Sequence, residues 1–213
     1  MDGNRRWAKE HGVFKLEGHR AGVETLKATV RLARDRGIKH IVVYAFSTEN
    51  WGREAEEVSY LMNLFHEALN KEMKELGKEG VRARFVGQRE RFAENLQKEM
   101  AIIENETAGN NAITLWCGLS YGGRAEIVEA AKAAAKVGEV TEESLASRLW
   151  TAGMPEPDLI IRTGGEKRLS GFLPWQTIYS ELFFSDTLWP DFSAEEFDAI
   201  LAEFVTRERR RGK

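Results

Sequence analysis

The chain has 213 residues, a formal net charge of −3, 42% hydrophobic residues and 31% charged ones. That composition suits a globular chain with one large core and carries no overall electrostatic drive toward nucleic acid. Its single cysteine, Cys117, excludes an internal disulfide, and no stretch reads as a secretory signal or reaches the about 18 apolar residues of a membrane span. In chain order, the segment from Asp2 to Trp7 precedes a helix-like run. His19 to Arg36 then reads as a helix with Val23, Leu26, Val30 and Ala33 on one face, stopped by Gly37. Residues 38–46 are a β-rich run. Residues 55–76 form the strongest helical stripe, through Val58, Leu61, Met62, Phe65, Leu69, Met73 and Leu76. A strand is expected at 81–86, a helix at 90–107, a strand at 113–119, helices at 123–136 and near 142–150, and strands at 159–163 and 182–184. Ser193 and Glu196 read as a capping box for a final helix presenting Phe197, Ile200, Leu201 and Phe204. Strands alternating with helices imply an α/β fold, a single domain over residues 1–213 with a central, mostly parallel sheet flanked by helices.

The polar clusters fall where ligands bind in such sheets, after the carboxyl ends of strands. Asp2-Gly3-Asn4-Arg5-Arg6-Trp7 sets an acid, a glycine, an amide and two guanidiniums together. The guanidiniums suit phosphate oxygens, and an acid among them points to a cation between it and the phosphates. Ser47 to Arg53, Ser120 to Arg124 and Arg162 to Ser170 each follow a strand with hydroxyls or amides, glycine and arginine. Each of these three alone also reads as an ordinary helix cap with solvated arginines. Neither a GxxxxGK[ST] nor a GxGxxG motif is present, and no Cys/His spacing suits zinc.

In this order MDGNRRWAK, GHRAG, YAFSTENWGR, YGGR, IRTGGEKRLS, FLPWQ, YSELFF, LWPDF and RERR resemble the cis-prenyltransferase family, over Asp2 to about Gly212. The resemblance implies a cytoplasmic homodimer, with transient contact at the inner membrane face for product release. It implies a Mg²⁺-dependent transferase that condenses isopentenyl diphosphate onto an allylic diphosphate such as farnesyl diphosphate, giving a long Z-polyprenyl diphosphate. Carried over position by position, Asp2 matches the Mg²⁺-linked catalytic acid. Gly3, Asn4, Arg5, Arg6, Trp7, Lys15 and His19 match the allylic diphosphate site, Lys15 standing where many members have arginine. Ser47 and Asn50 match positions tied to proton removal, with Thr48, Glu49, Trp51 and Arg53 around them. Arg162, Arg168, Leu169 and Ser170 match the isopentenyl diphosphate clamp. Glu181 matches a second magnesium carboxylate, reaching the site from the dimer partner, and Arg210 to Gly212 match a C-terminal segment that approaches the partner's site. Met62, Phe65 and Ile113 are tunnel candidates for the growing chain.

Besides Lys15, the chain departs from the family pattern elsewhere, Gly171 replacing a frequent asparagine. Trp116 replaces a common asparagine before YGGR, which bears on product length. Glu54 follows Arg53 where proline is frequent. Family members carry an apolar strand ahead of Asp2 that this sequence does not include, as a fragment, a misread start or a tolerated free terminus would each explain; a free terminus predicts a mobile Asp2. Two rival readings are a non-catalytic partner subunit of a heteromeric prenyltransferase and a nucleic-acid module using Arg207, Arg209, Arg210, Arg211 and Lys213. The first is opposed by the retained Asp2, Asn50, Arg162, Arg168 and Ser170, and the second by the absence of interleaved aromatics.

Overall fold

The computed structural model describes residues 1–208; Arg209, Arg210, Arg211, Gly212 and Lys213, and with them the expected C-terminal segment, lie outside the described residues. Backbone packing divides the chain into two compact units, 1–32 with 156–169 and 176–213, and 33–155 with 170–175.

The first unit holds α1 (Asn4–Glu10), most of α2 (Lys15–Asp35), β4 (Leu159–Arg162), β5 (Glu181–Phe184) and α8 (Ala194–Thr206). β4 and β5 pair in parallel, Leu159 against Glu181 through Arg162 against Phe184. The N-terminal heptad does not precede a helix; from Asn4 onward it is one. α2 begins a turn earlier than its apolar stripe suggests, at Lys15. Its buried face includes Thr25 and Thr29 beside Val30 and Ala33. Their hydroxyls are satisfied, Thr29 donating within the helix to the Thr25 carbonyl at 2.8 Å and Thr25 to the sequence-distant Pro190 carbonyl at 3.0 Å. At α8, Ser193 accepts from the Glu196 N–H at 3.2 Å as expected. The reciprocal half of the box is replaced, because the Glu196 carboxylate accepts from the Ser185 hydroxyl instead.

The second unit is built on a parallel sheet, β1 (His40–Ser47), β3 (Ile113–Tyr121) and β2 (Val81–Val86), with β3 in the middle. Around it run α3 (Ala55–Ala68), α4 (Lys74–Lys78), α5 (Glu94–Glu106), α6 (Gly123–Ala135) and α7 (Glu142–Ala146). Parallel neighbours need crossovers, and α3–α4 and α5 supply them. The expected helix over 55–76 is interrupted: residues Leu69–Met73 form a π-turn between α3 and α4, where the Asn70 side-chain amide donates to the His66 carbonyl at 3.0 Å. The expected start of the helix at 90 is a short 3₁₀ turn, Arg89–Arg91, ahead of α5.

β1 is out of step with β3 between Tyr44 and Phe46, and again before Ser47. The extra residue changes the side on which β1 side chains point. Tyr44 packs with Tyr121 and Phe172, against the cluster that holds Trp116, whereas Phe46 meets Trp51, Phe65 and Phe92. Trp116 therefore belongs to a core cluster with Val86, Tyr121 and Leu173. The tunnel candidate Phe65 packs instead with Phe46.

Both sheets are parallel throughout, as expected. The polar loops after β1 and β3 leave neighbouring strands of one sheet, and the loop after β4 leaves the other. That third loop caps no helix; it runs through bends to β5.

Candidate active site

In the first unit the site is built around Asp2. Its backbone N–H donates to the Thr163 hydroxyl at 3.0 Å, and that hydroxyl lies 3.0 Å from the Asp2 carbonyl. The same carbonyl accepts from the Trp189 N–H at 2.9 Å. The expectation of a mobile Asp2 is thus corrected, since residues far along the chain hold both of its backbone polar groups. Its carboxylate accepts from Arg162 Nη2 at 2.9 Å and lies 3.5 Å from Arg6 Nη2. Burial pushes the carboxyl up, but the Arg162 hydrogen bond and the charges of Arg162 and Arg6 outweigh it and hold Asp2 below its ordinary value.

The elements around Asp2 are fixed by close packing. A Cβ at Gly22 would lie 2.5 Å from Asn4 Oδ1 and 3.0 Å from Trp189, so glycine at that point of GHRAG lets α2 approach α1. Asn4 Oδ1 is buried without a hydrogen-bond partner. Trp7 donates to Asp191 at 2.6 Å, and Trp189 donates to the Gly22 carbonyl at 2.8 Å. Gly3 precedes α1, Arg5 is exposed on it, and Lys15 and His19 sit half-buried on α2. Arg162 also donates to the Arg168 carbonyl, which folds the loop after β4 back on itself, while Arg168 pairs with Glu166. Leu169 is half-buried at the end of this loop.

Glu181 opens β5 and accepts from Arg207 Nη1 at 2.9 Å; the same guanidinium lies 3.7 Å over the Phe183 ring and reaches Glu203 at 2.7 Å. Among the described residues no group of three or more His, Cys, Asp or Glu side chains is placed to hold a metal. The donor set at Asp2, one carboxylate amid guanidiniums, fits a Mg²⁺ that keeps water and takes substrate phosphates as its other ligands.

In the second unit Ser47, Thr48, Glu49, Asn50, Trp51 and Arg53 lie together on and beside the short 3₁₀ turn after β1. Asn50 Oδ1 accepts from the Ser47 N–H at 3.0 Å. Trp51 donates to the Ser120 hydroxyl at 2.9 Å. Arg53 donates to Glu57 at 2.9 Å, a carboxylate only 1% exposed. Ser170 also belongs to this unit and takes a positive φ of 50°.

Sequence reading gave no individual role to three residues: Thr163, which grips Asp2, Glu57, which holds Arg53, and Ser120, which receives Trp51. The i,i+4 spacing of Arg53 and Glu57 on a predicted helix start was a usable signal. The other two stand in the marked polar loops, but their partners are long-range and had no signal.

The chain matches the family described as "Putative undecaprenyl diphosphate synthase" over residues 1–212. It is 45% identical to an isoprenyl transferase of Neisseria gonorrhoeae over 215 residues, covering 100% of this chain and 87% of that protein. It is 44% identical to a ditrans,polycis-undecaprenyl-diphosphate synthase ((2E,6E)-farnesyl-diphosphate specific) of Xanthomonas axonopodis pv. citri, covering 100% of this chain and 86% of the relative. Among solved structures, lavandulyl diphosphate synthase from Lavandula x intermedia in complex with dimethylallyl diphosphate superposes with a TM-score of 0.95 at 35% identity, covering 100% of this chain and 95% of that one. A probable undecaprenyl diphosphate synthase from Campylobacter jejuni gives 0.83 at 35% identity, covering 91% and 93%. With its parallel α/β fold and these relatives over its whole length, the chain belongs to the cis-prenyltransferase family and is a prenyl-transferring enzyme.

Proposed function

We propose that this enzyme condenses isopentenyl diphosphate onto an allylic diphosphate such as farnesyl diphosphate, with Mg²⁺, and lengthens the product by Z double bonds to a long polyprenyl diphosphate. The observation that carries the reading is Asp2, pinned at its backbone by Thr163 and Trp189 and bracketed at its carboxylate by Arg162 and Arg6. An acid kept ionised between guanidiniums and still 39% exposed suits a metal-bridged diphosphate.

Asp2 would hold Mg²⁺, and Glu181 would assist from the partner protomer of a homodimer. Bound there, the ion supplies charge stabilisation to the leaving diphosphate. Gly3, Asn4, Arg5, Arg6, Trp7, Lys15 and His19 bind the allylic diphosphate. Arg162, Arg168, Leu169 and Ser170 hold isopentenyl diphosphate, so that its alkene meets the allylic carbon at near-attack distance. Ser47, Thr48, Glu49, Trp51 and Arg53 flank the coupling step.

Asn50 acts by positioning. Its side-chain oxygen is oriented by the Ser47 N–H, so it offers the reacting groups an amide donor, and an amide oxygen is too weak a base to take the proton itself. The final proton leaves a strongly acidic tertiary cation, so a weak acceptor such as a diphosphate oxygen suffices.

The enzyme would work in the cytoplasm as one catalytic domain over residues 1–213 and release its apolar product at the inner face of the membrane. No helix among the described residues is long and apolar enough to cross a membrane. Incubation with labelled isopentenyl diphosphate, farnesyl diphosphate and Mg²⁺ tests the reading. Incorporation into long chains is expected for the native chain, and a loss of about a thousandfold or more with only a small fall in melting temperature for Asp2→Ala. Full turnover by Asp2→Ala would remove the metal role, and no incorporation by the native chain would remove the function.

A further inference from the structure

We propose that Ser120 is a positioning residue: it fixes Trp51, and through it the turn that carries Ser47, Asn50 and Arg53. The inference rests on the reading of that turn as part of the diphosphate site. Ser120 is the next-to-last residue of the central strand β3, fully buried, with a φ of +50°. A non-glycine residue in the left-handed region persists where its surroundings over-determine it. Glycine or asparagine would accept this backbone more readily.

Serine brings a hydroxyl to that corner. The oxygen accepts from Trp51 Nε1 at 2.9 Å while its proton is directed to Gln88 Oε1 at 3.4 Å, and the Ser120 carbonyl accepts from the Gln88 N–H at 3.2 Å. An indole N–H that is largely withdrawn from water needs such an acceptor. The rest of the Trp51 ring is caged: Phe46 stands edge-on at 5.0 Å, Phe92 lies at 5.3 Å, and the Arg91 guanidinium lies 4.8 Å over the ring.

A second tie brings the same turn against the same strand end. A Cβ on Gly122 would come within 2.5 Å of Thr48 Oγ1. Ser120 therefore aligns the hydrogen bond that sets the rotation of Trp51, and with it the seating of a five-residue 3₁₀ turn. Because Ser120 is fully buried, it acts on substrate only through Trp51.

Three substitutions separate the strain from the acceptor. Ser120→Gly removes the acceptor and relieves the backbone, Ser120→Ala removes the acceptor and keeps the strain, and Ser120→Asn keeps an acceptor and suits the φ. Each is followed by thermal melting, by ¹⁹F NMR of protein labelled with 5-fluorotryptophan (the Trp51 line assigned from Trp51→Phe), and by KM for isopentenyl diphosphate against kcat. Both Gly and Ala should shift or broaden the Trp51 line and raise KM about two- to tenfold, the effect of one lost hydrogen bond. Melting should nevertheless separate them, Gly at or above the native chain and Ala below it. Asn should return the line and KM toward native values, and the Gly and Ala pair decides the matter without it. A Ser120→Gly protein that keeps the native Trp51 line, or moves the line and keeps the native KM, overturns the proposal. If the native chain does not turn over isopentenyl diphosphate, the functional reading falls, whereas an unmoved Trp51 line in Ser120→Gly defeats only the positioning role.

Discussion

The hydroxyl of Thr163 lies 3.0 Å from both the backbone N–H and the backbone carbonyl of Asp2, a residue 161 positions away. One small side chain therefore helps set, together with the Trp189 N–H, where the proposed metal-binding acid stands. Thr163→Val keeps the shape and removes the hydroxyl. It should cost about 1–2 kcal/mol, read as a melting shift of roughly 2–8 °C. It should lower turnover further, by about ten- to a hundredfold, because a misplaced acid loses alignment with its substrate. Thr163→Ser should stay near the native values in both assays. Equal turnover for Val and Ser would show that Trp189 alone suffices to hold Asp2.

The Asp2 carboxyl is held below its ordinary value of 3.8 in the folded chain. A group with a depressed folded value contributes stability above its unfolded value and loses it as pH falls toward the folded one. The melting difference between the native chain and Asp2→Asn should therefore be full at neutral pH, begin to shrink near pH 4 and narrow further below it. The effect is modest, since the carboxylate is 39% exposed and screened by solvent. A difference that stays constant from pH 7 to pH 2 would contradict the pairing with Arg162.

Arg207 joins α8 to β5 through Glu181, Glu203 and the face of Phe183. Arg207→Ala should lower the melting temperature and weaken its dependence on salt, and Arg207→Lys should recover only part, since an ammonium cannot reproduce the planar fork. In the proposed homodimer Glu181 also serves the partner's metal, so Arg207→Ala should change the Mg²⁺ concentration needed for half-maximal turnover. The dimer itself is checked by sedimentation at micromolar concentration. An active monomer would exclude it.

Glu126 is fully buried, yet both oxygens are used. One accepts from the Thr151 N–H at 3.0 Å and the Thr151 hydroxyl at 2.8 Å, and the other accepts from Tyr121 at 2.5 Å. Glu126→Ala leaves those donors buried and unpaired, and about 3 kcal/mol or more should be lost. Urea denaturation should show a lower midpoint with an unchanged slope. A midpoint within error of the native chain would mean that the donors find other partners.

Much of this protein was legible from local pattern. The strands expected at 81–86, 113–119 and 159–163, the helix expected over 123–136 and the Ser193 cap are present, some with ends shifted by one or two residues; they follow from period, propensity and capping chemistry, which act within a few residues. The clustering of Asp2 with Arg6 was readable too, because the two stand four residues apart in one short segment. Tertiary structure decided the rest. Whether Glu196 would bond its own cap or Ser185, whether Trp116 would join Tyr121 or the Phe46–Phe65 side, and whether Asp2 would be free or gripped by Thr163 depended on groups distant in sequence. A buried donor or acceptor must find a partner wherever the fold brings one, and a single extra residue in β1 reverses the side to which the following side chains point.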